Sequence, residues 1–236
     1  MAASAIEHYD RIAISYDAER FGCRCGRIVN QTELDIVASL LKHGGRTLDI
    51  GTGSGRFSRM ATGLSRDVVA LDASARMISV AAAKEGDART RRISFLIGSA
   101  DLLPFPDATF ENVLAVRLLS HFEDPSPPIS EMARVLRHGG RLIIDLPHRL
   151  ARTYGRFVSN PEISSHCDFF HTRRQIEKLF QKHSIGVMNC VTYSALPITF
   201  VHFALCNHLK FVPTGLLEGI IASKRGLLSF VVGVRH

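Results

Sequence analysis

The sequence predicts an α/β fold built on a doubly wound, mostly parallel sheet. Three observations carry this. From Arg46 to Leu146, short and nearly all-apolar runs alternate with amphipathic ones, the pattern of parallel strands covered on both faces by helices. The first apolar run ends in a glycine-rich turn, "DIGTGSG". The residues that close the apolar runs are polar, and open α/β sheets bind ligands at the carboxyl ends of their strands.

The elements follow in order. "RTLDIG" (Arg46 to Gly51) reads as the first strand, and "SGRFSRMATGLS" as a helix entered through Ser54 and Gly55. "DVVALD" (Asp67 to Asp72) is the second strand. "SARMISVAAAKEG" is a helix with Ser74 as N-cap and Gly86 as its stop. "RISFLIG" (Arg92 to Gly98) and "FENVLAV" (Phe110 to Val116) are the third and fourth strands. "PSPPISEMARVLRHGG" reads as a helix with prolines at its start and glycines at its end. "RLIIDL" (Arg141 to Leu146) is the fifth strand. The rhythm then breaks, and residues 147–171 read as an insertion over the sheet edge. "TRRQIEKLFQKH" (Thr172 to His183) is an amphipathic helix, and "IGVMNCVTY" (Ile185 to Tyr193) and "LLSFVVGVR" (Leu227 to Arg235) are β-rich. The apolar stretch 196–222 lies between them. Its His, Asn, Lys and Pro residues speak against a membrane span.

The chain has 236 residues, 46% of them hydrophobic, which suits a single domain over 1–236. The net charge of +7 is spread along the chain, and its short basic clusters are not interleaved with aromatics in a nucleic-acid motif. Five cysteines at irregular spacing predict a reducing compartment rather than a disulfide scaffold. "CRCG" and "HCDFFH" lack the ligand spacing of a tetrahedral site, so no metal is expected. The N-terminus carries Glu7 and Asp10 and no long apolar core, so it is not read as a signal peptide and a cytoplasmic location is expected. Peripheral membrane contact stays open, as does the choice between monomer and homodimer.

The glycine loop does not fit the two common phosphate cradles. A dinucleotide fingerprint needs a third glycine at position 56, where this chain has Arg56 and carries Gly55 instead. A P-loop needs Gly-Lys-Ser/Thr. Asp49 stands two residues before Gly51, Asp72 ends the second strand and Asp101 follows the third. A carboxylate at the second strand's end suits a ribose diol, and one after the third suits an exocyclic adenine amine. Three acidic groups along one edge repel an anion. They suit an adenosine with a positively charged tail.

These segments resemble the class I S-adenosylmethionine-dependent methyltransferases, within them the methyltransferase type 11 group. The resemblance covers roughly residues 8–147. "YDRIAISYD", "LDIGTGSGRFS", "ALDAS", "GSADLLPFPDATFENVLAVRLLSHFEDP" and "EMARVLRHGGRLIIDLP" occur in the family's order and spacing. It implies a Rossmann-like sheet of seven strands, the last antiparallel, with S-adenosylmethionine (SAM) as cofactor and S-adenosylhomocysteine (SAH) as product. By the resemblance, Asp49, Gly51, Thr52, Gly53 and Gly55 hold the methionine end, Asp49 meeting its amino group. Asp72 takes the ribose hydroxyls, with Ala73 and Met77 packing nearby. Ser99, Ala100 and Asp101 frame the adenine, Arg117 and Leu118 face the methionine portion, and Tyr16 caps the site. Arg117 departs from the smaller residue common there and points to the cofactor carboxylate or the substrate.

The reaction implied is methyl transfer to an oxygen, nitrogen or carbon of a small acceptor. The segments 147–171 and 196–222 are the expected substrate-side elements, and their apolar residues suit a hydrophobic or amphipathic acceptor. His121 and His148 are the candidate general bases, each just past a strand end. Two alternatives stand beside this reading: an NAD(P)-dependent oxidoreductase on a similar sheet, against which the glycine spacing and Asp49 argue, and a cofactor-binding module without catalysis.

Overall fold

The computed structural model describes residues 3–22, 24–84, 92–147, 169–193 and 228–236. Three N-terminal helices, α1 (Ala3–Ile12), α2 (Tyr16–Phe21) and α3 (Arg24–Leu40), precede β1 (Arg46–Ile50). Then come α4 (Arg56–Ala61), β2 (Asp67–Asp72), α5 (Ala75–Ala83), β3 (Ile93–Ile97) and β4 (Phe110–Ala115). A 3₁₀ turn at Leu119–His121 leads to α6 (Ser126–Val135), β5 (Leu136–Pro147), α7 (Arg173–Lys182), β6 (Ile185–Tyr193) and β7 (Leu228–Arg235).

The strands form one seven-stranded sheet in the order β3-β2-β1-β4-β5-β7-β6. β1 to β5 are parallel. β7 runs antiparallel to both β5 and β6, so the expected antiparallel last strand is found between two neighbours. The order reverses between β1 and β4, the switch point where such sheets bind ligands.

Alternation along each strand feeds two cores. Leu48, Ile50, Val69, Leu71, Leu142, Ile144 and Val231 face one, with Ile129 and Met132 of α6 and Ile176 and Phe180 of α7. Val68, Ala70, Ile143, Phe230 and Val232 face the other, with Val37 and Leu40 of α3 and Phe57 and Ala61 of α4. Burial of each large side chain contributes about 1.5–3 kcal/mol.

Ser74 is the N-cap of α5, its Oγ accepting from the Met77 N–H at 3.0 Å. α7 begins in a capping box: the Thr172 Oγ accepts from the Gln175 N–H and the Gln175 side chain accepts from the Thr172 N–H.

Two expectations are corrected. The helix read through Gly139-Gly140 stops at Val135, and Leu136 already pairs with Phe110. The pair of glycines serves the strand: Gly139 has φ +71°, and the β4–β5 register shifts between Phe110 and Asn112. Second, α5 stops at Ala83, before Gly86, which lies outside the described residues.

Candidate active site

The carboxyl ends of β1, β2 and β4, with the turn after β3, surround a cleft of about 800 Å³, part of it open to solvent. Of the residues expected from sequence, it is lined by Tyr16, Gly51, Thr52, Gly53, Asp72, Ala73, Met77, Ser99, Ala100, Arg117, Leu118 and His121. Tyr9, Arg56 and Phe122 join them. Asp49, Gly55 and Asp101 stand behind or beside this lining. His148 and the segment 196–222 lie outside the described residues, as does the cap apart from its two ends, Pro147 and residues 169–171.

The loop's glycines answer to left-handed backbone and, at Gly51, to a close neighbour. Gly53 has φ +54° and open space where a side chain would project; its N–H reaches the Asp72 Oδ2 at 2.8 Å. A Cβ on Gly51 would stand 3.0 Å from the Leu118 Cδ1, and its φ of +70° strains any other residue, so glycine suits the loop where it lies against the β4 turn.

Asp72 accepts from the Gly53 N–H and, at 2.9 Å, from the Ser74 N–H. A carboxylate offers about four acceptor sites, so these two bonds leave acceptor capacity for a hydroxyl donor. Burial raises its pKa, and the negative charge of Asp49 adds to the rise. Asp49 is itself 2% exposed. It lies under the loop, where its Oδ2 accepts from Thr52 Oγ1 at 2.8 Å and Ser58 Oγ at 2.6 Å. Burial raises its pKa, while those two hydroxyls and Arg56 lower it. Two desolvated carboxylates that repel each other favour a ligand with positive charge and hydroxyl donors. The group implied by the resemblance has both, and the residues present fit it. Asp101 is exposed and takes a hydrogen bond from the Ser99 hydroxyl, which lowers its pKa.

Arg117 is tied to the protein rather than left as a lone cation. It has φ +60°, and its N–H donates to the Asp145 Oδ1 at 2.6 Å. Its guanidinium pairs with Glu33 of α3. Glu33 is fully buried and also pairs with Arg56, whose guanidinium stacks on Phe57 at 4.2 Å. No motif or spacing in the sequence marked Glu33 or Asp145 as part of the site.

Asp145, 2% exposed, has its pKa raised to about 8, by burial first and then by the charge of Glu33. The folded carboxyl holds its proton up to about pH 8, whereas the unfolded chain releases it near the ordinary 3.8. Folding therefore takes up a proton in that window, and this group's contribution to stability is lost as pH rises from about 4 to about 8. Asp145→Asn keeps an oxygen for the Arg117 N–H and removes the titration. Its melting temperature is expected to fall less than wild type's from about pH 5 to pH 8. A melting profile parallel to wild type's would contradict this.

His121 sits on the 3₁₀ turn, 7% exposed. Its Nε2 is 3.2 Å from the Tyr9 Oη. His171 holds the turn from outside, its Nε2 donating to the Leu119 and Phe122 carbonyls at 3.0 and 2.9 Å. Among the described residues no cluster of three metal-ligating side chains occurs, and no helix is long and apolar enough to cross a membrane.

Residues 48–144 match the family described as "Methyltransferase domain". A demethylmenaquinone methyltransferase of Renibacterium salmoninarum is 32% identical over 136 residues, 58% of this chain and 55% of that protein. The O-methyltransferase rstn1 of Aspergillus nomiae is 34% identical over 103 residues, 43% of this chain and 46% of that protein. The chain thus spans about half the length of the curated relatives it matches. A SAM-dependent methyltransferase structure from Thermotoga maritima shares the fold with a TM-score of 0.70 at 22% identity, covering 98% of this chain and 99% of that one. Residues 48–144 thus match a methyltransferase domain model, and the whole fold is shared with a solved SAM-dependent methyltransferase structure.

Proposed function

We propose that this chain transfers the methyl group of SAM to a small hydrophobic or amphipathic acceptor, acting as one domain over 1–236. The observation that carries the reading is a cleft whose lining joins Asp72 and the open backbone of Gly53 to Tyr9, Leu118, His121 and Phe122. Asp49 lies beneath the same glycine loop.

In this reading the Asp72 carboxylate accepts both ribose hydroxyls, while Ala73 and Met77 pack against the nucleoside. Ser99, Ala100 and Asp101 frame the base. Gly51, Thr52 and Gly53 close on the methionine end, with Gly55 turning the chain into α4 and Asp49 supplying negative charge from below. Tyr16 covers the site. Arg117, whose guanidinium is held by the Glu33 it shares with Arg56, lies beside the methionine portion with Leu118. When bound, the cofactor supplies an electrophilic methyl group. The protein's task is to align the acceptor and exclude water. Where the acceptor carries a proton, His121 or His148 removes it.

A quinol ring is a second, narrower reading of the acceptor. Its support is the relative named as a demethylmenaquinone methyltransferase.

Thermal-shift titration tests the proposal. SAM and SAH are expected to raise the melting temperature in a concentration-dependent way, and NAD is expected to leave it unchanged. Stabilisation by NAD alone would sink the reading. Methyl-labelled SAM added to a metabolite extract then identifies the acceptor by its labelled product.

A further inference from the structure

We propose that Tyr9 and His121 form a proton relay that takes the hydroxyl proton of a phenol or enol acceptor. This rests on the methyl-transfer reading and narrows its substrate class. Tyr9 comes from α1 and His121 from the turn after β4, 112 residues apart in sequence. Their polar atoms are 3.2 Å apart. The rings meet edge to face, with centroids 5.4 Å apart at 86°, and both line the cleft. Tyr16 meets Tyr9 at 6.1 Å and 67°, while Leu118 and Phe122 add apolar wall. A flat ring with one polar edge suits this half of the cleft.

The chemistry follows from the two groups. A phenolic hydroxyl both accepts and donates, so the Tyr9 oxygen can receive a proton from the acceptor while passing its own to the imidazole. The acceptor O–H bond breaks and an O–H bond forms on Tyr9. The Tyr9 O–H bond breaks and an N–H bond forms on His121 Nε2. A phenolate and an imidazolium result from two neutral groups, and the imidazolium later releases its proton to water. Imidazole titrates near neutral pH. A phenol, with a pKa of about 10, is within its reach, whereas an aliphatic alcohol, close to water's value of about 16, is not. An uncharged amine needs no base before attack. The pair therefore favours phenol-like hydroxyls over both.

Among the described residues, charged and titratable groups near the pair include Arg117, bound to Glu33, on the turn before His121; His171 on the far side of the 3₁₀ turn; Tyr16 on α2; and His8 with Arg11 beside Tyr9 on α1.

The test uses the full chain saturated with SAH and 4-nitrophenol as the probe, whose phenolate absorbs where the phenol does not. The bound probe is expected to ionise about one pH unit below the free one, a tenfold shift. Tyr9→Phe and His121→Gln should each abolish the shift while SAH affinity, measured by calorimetry, stays within about threefold of wild type. Absence of probe binding at about 1 mM, binding without the shift, or a shift retained in either variant would overturn the relay. Should one variant lose SAH binding, the other decides. Failure of the wild-type chain to bind SAH would remove the methyltransferase reading first, and the relay with it.

Discussion

Asp72→Ala is expected to lower affinity for SAM and SAH by about 100-fold, the equivalent of two hydrogen bonds to a charged group at ~1.5 kcal/mol each. The carboxylate already accepts from the Gly53 and Ser74 N–H groups, and its remaining lone pairs face the cleft that Asp72 lines. Burial and the nearby Asp49 make its charge expensive in the free protein, as the raised pKa records. In the proposed reading, hydroxyl donors from a ribose would relieve that cost, and the relief would add to the binding energy. Asp72→Asn should fall between the two, because an amide oxygen still accepts. Calorimetric titration with SAH reads the effect, and melting of the ligand-free proteins separates it from loss of the loop. Affinity of Asp72→Ala within about threefold of wild type would refute the ribose assignment.

The same edge is tied to the N-terminal helices. The Ser74 Oγ donates to the Asp10 Oδ1 at 2.5 Å, so the N-cap of α5 also holds α1. The Ser54 Oγ donates to the Asp17 Oδ1 at 2.6 Å, and Lys84 pairs with the same carboxylate, which fastens α2 to the glycine loop. Tyr9 and Tyr16 reach the cleft because these contacts bring their helices over it.

Much of this was legible in the sequence because it rests on local pattern. The apolar runs of β1 to β4, the Ser74 cap and the glycine loop each depend on neighbours a few residues away. The β6 and β7 segments were visible as strands, but insertion of β7 between β5 and β6 is a long-range choice that no local period encodes. α3 and its Glu33 were missed for a related reason. Val29, Glu33, Val37 and Leu41 recur every fourth residue, and a carboxylate on that core-facing stripe signals a buried ion pair. Asp145 inside "LIIDLP" is the same signal on a strand. Asp49 was recognised, but its partners Thr52 and Ser58 place it beneath the loop, a distinction of side-chain direction that spacing alone does not give. Tyr9 stood within "YDRIAISYD", a segment read only for its family resemblance, and its partner lies 112 residues on.

Glu33→Ala is expected to destabilise the fold by about 3–5 kcal/mol, the usual cost of removing one partner from a buried ion pair. Glu33 is 0% exposed and joins Arg56 to Arg117, so its loss leaves two guanidinium groups beside the site without their shared anion. Glu33→Gln keeps one acceptor oxygen and should cost less. A second readout separates this from simple loss of packing. The charge of Glu33 helps to raise the pKa of Asp145, so in Glu33→Gln the Asp145 carboxyl ionises at lower pH. The decline of stability with pH should then end below about pH 8. Urea unfolding at several pH values measures both effects. A loss under about 1 kcal/mol, typical of exposed pairs, with the pH profile unmoved, would show that Glu33 does not organise the two arginines.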